Sequence, residues 1–292
     1  MRPVWQVLAP IDLALDSEGA VEHAINICSV VGGELTLLHV SHQSWFHGGG
    51  GGWPRNAFNE VRTKCDIHRV VLPGSPAETI SRYAEFINAD LLAMTTERHR
   101  RWSHFWRNSV TEDVLGRTRR RVCITDPGLA DRDNRFSGRR ILCVLSLDGT
   151  DDSLLWQAEE LAQRSGGELI LLGVVPGIDE GLLLETISGY DRPLSSQLAA
   201  ERLQAVGKGI SVSHKTLIMS GSEYNCIRVA AEEQSADVVM AARPSPGQTE
   251  STFLAVRTLL RRLPCPLVSV TGIVPCARSI TRAPEMTRRL TG

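Results

Sequence analysis

Gly32-Gly33-Glu34-Leu35-Thr36-Leu37-Leu38-His39-Val40 returns further along the chain as Gly166-Gly167-Glu168-Leu169-Ile170-Leu171-Leu172-Gly173-Val174. In both places a glycine pair is followed by a short, continuous apolar run. Such a run suits a β-strand buried on both faces, and the glycines suit the end of a preceding helix. Upstream, the apolar stretch 4–9 leads to Asp12, and the stretch 141–145 leads to Asp148, then to Asp151, Asp152 and Ser153. Downstream, Gly74-Ser75-Pro76 opens a helical pattern that ends in Ala89-Asp90-Leu91-Leu92. Gly221-Ser222-Glu223 opens one that ends in Ala236-Asp237-Val238-Val239. Matched segments in the same order mark an internal duplication.

Each copy reads strand, helix, strand, variable region, strand, helix, strand, helix, strand. In the first copy the strands are expected at 4–9, 34–40, 69–72, 90–95 and 122–125. Ser17 is expected to cap the first helix, with Val21, Ala24, Ile25 and Cys28 as its apolar face. Leu154, Leu155, Ala158, Leu161 and Ala162 form the corresponding face in the second copy. Strands alternating with helices imply α/β architecture with parallel, doubly wound sheets. The boundaries that follow are domain 1 at 1–126, a polar, turn-rich linker at 127–138, domain 2 at 139–273 and a tail at 274–292 without clean periodicity. The glycine run 48–52 reads as a surface loop, since the Lys and Ser/Thr of a phosphate-binding loop do not follow it.

The 292 residues suit two ordinary domains, and 42% apolar content suits two packed cores. A formal net charge of -1 gives no global field toward nucleic acid or membrane. The seven cysteines form no C-x-x-C pair and mostly sit in apolar runs, as buried small hydrophobes in a reducing compartment do. The N-terminal stretch lacks the long apolar core of a signal peptide, and no apolar run is long enough to cross a bilayer. A cytoplasmic protein is the expectation.

The strand–Asp–acidic–Ser start, the GGELxLLxV strand, the G-S-P helix and the A-D-(L/V)-(L/V) strand together resemble the universal stress protein family in its tandem form. Leu263-Pro264-Cys265-Pro266-Leu267-Val268-Ser269-Val270 looks like that family's closing strand. The resemblance implies two tandem Rossmann-like domains of the adenine nucleotide alpha hydrolase-like kind, each a five-stranded parallel sheet flanked by helices. It also implies that the closing strands pair within one chain, as a pseudo-dimer. Nucleotide-binding members carry G-x2-G-x9-G-(S/T) after the fourth strand, where glycines let backbone N–H groups approach phosphates. In the first copy these places hold Thr95, Arg98 and Asn108, then Ser109 and Val110. The second copy has Ala242 and Ser245, then Phe253 and Leu254 in a shorter loop. The resemblance therefore implies weakened or lost ATP binding and no expected cofactor. A residual ATP or AMP site in domain 1 would use Asp12, Val40, Thr95, Arg98, Asn108, Ser109 and Val110, with Asp148 as a weaker candidate in domain 2.

Other features allow competing readings. The run 98–107 interleaves Arg with Trp102, Phe105 and Trp106, whose spacing makes one face of a helical turn. That face could pack over the vacated cleft or the partner domain, its arginines could hold phosphate, or the run could stack on single-stranded nucleic acid, which ranks last. Arg117, Arg119, Arg120 and Arg121 suit a solvated helix end, with an anion site as the alternative. Arg121 stands where the family has proline. His39, His42 and His47 read as ordinary polar positions, and no metal site is expected. Asp12 and Asp148 have no His or Lys at partner spacing, so turn capping is their simpler role. The chain reads as a non-enzymatic stress-response protein that senses a ligand or binds a partner, an unidentified protein or small molecule, with a homodimer as a further option. The alternatives are an ATP- or AMP-binding protein using domain 1, at most a weak ATPase, and a nucleic-acid-associated factor.

Overall fold

The first copy runs β1 (Trp5–Pro10), α1 (Glu18–Val31), β2 (Gly33–Ser41), β3 (Ile67–Pro73), α2 (Pro76–Phe86), β4 (Leu91–Thr95), α3 (Val110–Leu115) and β5 (Arg121–Thr125). The second runs β6 (Arg140–Leu145), α4 (Asp152–Ser165), β7 (Glu168–Val175), α5 (Ser196–Gly207), β8 (His214–Ser220), α6 (Glu223–Glu233), β9 (Val238–Arg243) and β10 (Leu267–Thr271). This computed structural model describes residues 4–12, 18–41, 65–95, 110–125, 136–147, 151–175, 196–243 and 263–271. Ser17, the glycine run 48–52, the Arg/Trp run 98–107, His42, His47 and the tail lie outside the described residues.

The repeated glycine pair has two separate physical causes. Gly32 and Gly166 each adopt φ +69°, the left-handed turn that ends α1 and α4. The second glycine of each pair passes close to the neighbouring chain. A Cβ on Gly33 would sit 2.6 Å from the Trp5 carbonyl oxygen, and one on Gly167 would sit 1.9 Å from that of Gly138. The repeated Asp has an equally local cause. Asp90 accepts the Gln6 N–H at the start of β1 at 2.9 Å, and its own N–H donates to the Gln6 carbonyl. Asp237 does the same for Arg140 at the start of β6, and also accepts from the Arg139 N–H and the Ser137 hydroxyl. Each carboxylate thus satisfies donors that the sheet leaves unpaired.

The ten strands form one sheet in the order β3-β2-β1-β4-β5-β10-β9-β6-β7-β8. All neighbours are parallel except β5 and β10, which run antiparallel. Cys123 pairs with Val268 across that junction, and the two hold the same place in their units, so a pseudo-twofold passes through them. The closing strands therefore do pair within the chain, as the family resemblance implies. The two apolar faces of the sheet form cores that run continuously through both halves.

Two expectations change. On α1 the buried face is Val21, Ala24, Ile27, Cys28 and Val31, with Ile25 only half-buried. Packing of α1 against α4 as well as against the sheet asks for this broader face. Phe136, inside the span read as a polar linker, is wholly buried in the core. Removing such a ring from water stabilises by roughly 2–3 kcal/mol, so the end of the connection is anchored.

Candidate functional site

In an open parallel sheet the strand order reverses at one point, and ligands bind beyond the carboxyl ends of the strands there. In the first copy that point lies between β1 and β4, and in the second between β6 and β9. At the first, Asp12 is exposed just past β1, half-buried Val40 lies near the end of β2, and half-buried Thr95 ends β4. The Thr95 carbonyl accepts from the Thr111 hydroxyl at 3.4 Å, which ties the first turn of α3 to β4 and leaves Val110 exposed. His39 places Nδ1 3.2 Å from the Ile11 carbonyl, which itself adjoins Asp12. Asp12, Val40, Thr95 and Val110 are thus brought to one edge of the sheet. Arg98, Asn108, Ser109 and Asp148 lie outside the described residues.

The second copy builds the same place differently. Leu147 takes φ +61° and is buried, with the wholly buried Leu203 of α5 close by. Both reach over Gly173, which holds the position of His39. A Cβ there would lie 2.8 Å from Leu147 Cδ1 and 3.1 Å from Leu203 Cδ1. Arg202 donates to the Leu147 carbonyl. Asp151 accepts from the Ser146 N–H at 3.0 Å, the Ser146 hydroxyl at 2.9 Å and the Leu147 N–H at 3.0 Å. Apolar side chains and a turn bonded to itself occupy this edge. The sheet register also sets Asp12 level with Ser146, so Asp148 lies further along the chain than its counterpart.

The basic run after α3 is the clearest correction. Arg117 and Arg119 are exposed, as a solvated helix end requires, but Arg120 and Arg121 are not free. Arg120 pairs with Glu85 and also donates to Asn88 and Ala89. Arg121 is buried, donates to Gln157 at 2.7 Å, pairs with Glu160, and lies 4.5 Å from the Trp5 ring and 5.6 Å from that of Trp156. Arg164 approaches the Trp5 ring at 4.8 Å. Arg121 therefore joins the two units as part of a cation–aromatic cluster. From the other unit, buried Arg243 donates to the carbonyls of Thr118, Arg120 and Ser269, and Thr271 donates to that of Arg119. Burial lowers the Arg243 guanidinium to about 10, so it stays charged at neutral pH.

Sequence reasoning missed Leu147 and Arg243, and read Asp151 only as part of the acidic stretch before a helix. Asp151 carried a signal, since a carboxylate just before a helix commonly binds nearby N–H groups, but here it turns back onto the strand end. Leu147 and Arg243 carried none, because their partners lie far along the chain. Among the described residues, no group of three or more His, Cys, Asp or Glu could hold a metal, and no helix is long and apolar enough to cross a membrane.

A duplicated, doubly wound α/β fold with a ligand-type edge in each copy defines the class. Residues 6–125, the first unit from β1 to β5, match the Universal stress protein family. No curated protein matches the chain. A universal stress protein from Archaeoglobus fulgidus is similar in structure, with TM-score 0.65 and 19% identity over 91% of this chain and 96% of that one. A functionally unknown protein from Pseudomonas aeruginosa PAO1 is similar at TM-score 0.57 and 15% identity, over 92% of each chain. The cytoplasmic domain of a prokaryotic cation chloride cotransporter is similar at TM-score 0.54 and 11% identity, over 92% of this chain and 96% of that one. At these identities the likeness is one of fold.

Proposed function

We propose that the chain is a non-enzymatic, cytoplasmic stress-response protein that senses a ligand or binds a partner through its first unit. In this reading the second unit has given up nucleotide binding and serves as scaffold. The observation that supports it is the filled edge of unit two, where Leu147 and Leu203 cover Gly173. Side chains packed at interior density leave no room for a nucleobase without large rearrangement. A catalytic role has no support, since Asp12 and Asp148 have no acid–base partner at suitable spacing in the sequence.

A second reading, ATP or AMP held by unit one alone, is favoured by the contrast at His39, where the first copy has a half-buried imidazole instead of the leucine filling. Side chains of Arg98 and Ser109 would then replace the lost glycine cradle. Calorimetric and thermal-shift titration with ATP and AMP separates the readings. The first expects no micromolar binding with phosphate selectivity. The second expects it, abolished by Arg98→Ala and untouched by Asp148→Ala. Binding lost in Asp148→Ala would overturn the scaffold role given to unit two.

A further inference from the structure

We propose that Cys28 and Cys65 form a dithiol site that peroxide converts to a disulfide, tying α1 to the entry of edge strand β3. Cys28 lies in α1, is fully buried, and its side chain is hydrogen-bonded with that of Cys65. Cys65 stands just before β3, half-buried and packed against the core cluster that contains Cys28. The contact is a property of the fold. In both units the chain enters its edge strand alike, with the Leu35 N–H donating to the Asp66 carbonyl and the Leu169 N–H donating to that of Ser213. The matching positions in unit two are Ala162, buried in α4, and Val212, packed on the same core. Where one copy has two apolar side chains on the core, the other has two thiols.

The chemistry divides between them. The half-exposed Cys65 sulfur attacks a peroxide oxygen, the O–O bond breaks, and water leaves as the Cys65 sulfenic acid forms. The Cys28 sulfur then attacks the Cys65 sulfur, releasing the hydroxyl, which takes the Cys28 proton and departs as a second water. Two thiols and one hydrogen peroxide give one disulfide and two waters. Burial raises the Cys28 thiol well above the ordinary range, which leaves the first attack to Cys65.

The test is to treat the full chain with hydrogen peroxide, count free thiols and map the peptides by mass spectrometry. The expected result is the loss of two thiols and a reducible Cys28–Cys65 peptide pair. Cys65→Val and Cys28→Ala install the residues of unit two and so preserve packing. Cys65→Val should abolish the loss, and Cys28→Ala should leave a sulfenic acid on Cys65 that dimedone traps. A disulfide involving another cysteine, oxidation of Cys65 beyond sulfenic acid in the wild type without a bridge, or no reaction would each overturn the proposal.

Discussion

Single residues in this chain are constrained mostly by their own backbone neighbours. Gly32 turns the chain and Gly33 clears a carbonyl, so one dipeptide meets two separate demands. His23 is a case where the two copies diverge. It lies on α1, hydrogen-bonded with the Thr125 hydroxyl, and burial lowers its pKa from 6.5 to about 4. The fold therefore holds it neutral while the unfolded chain protonates it near 6.5. Its contribution is fully present above that pH and is lost as pH falls toward about 4, amounting to about 3 kcal/mol. His23→Gln, which copies Gln157 of unit two, should remove this component. Urea unfolding of both proteins between pH 7 and 4 checks it: parallel pH profiles would refute the assignment.

At the scale of elements, α5 decides what the second site becomes. Its Leu203 and Arg202 reach the β6 end, where they cover Gly173 and bind the Leu147 carbonyl. Leu203→Ala should destabilise by about 3 kcal/mol, the usual cost of a buried leucine truncation. Gly173→His, which installs the residue of unit one, should cost about 1–3 kcal/mol by crowding Leu147 and Leu203. The double variant should cost less than the sum, because the imidazole enters the space that Leu203 vacates. Denaturant midpoints of the three variants measure this coupling, and strict additivity would show that the groups do not share one space.

Across the whole molecule, the seam between units rests on the β5–β10 junction, the Arg121 cluster and Arg243. Arg243 binds three carbonyls, two of them in the other unit, so its removal leaves buried acceptors without their donor. Arg243→Met should lower stability by about 2–4 kcal/mol. It should also separate a single calorimetric unfolding transition into two, as the halves lose their mutual support. A variant that still unfolds in one transition at the wild-type temperature would remove Arg243 from the seam. The same geometry links the carboxyl edge of unit one to the seam, since α3 starts beside Thr95 and leads into the carbonyls that Arg243 holds.

The sequence by itself determined the duplication, the strand and helix types and the doubly wound class, because these follow from local periodicity and from glycines and carboxylates acting on near neighbours. The family resemblance named Asp12, Val40, Thr95 and Val110, and it is the strand order of the folded sheet that brings them to one edge. Only the tertiary structure decided that Arg120 and Arg121 are paired instead of solvated, that Phe136 is core instead of linker, and that leucines fill the second site. Each of these depends on a partner distant in sequence, Glu85 and Glu160 for the arginines and Leu203 for Leu147. Burial, unlike periodicity, is a property of what folds over a residue, and no local pattern records it.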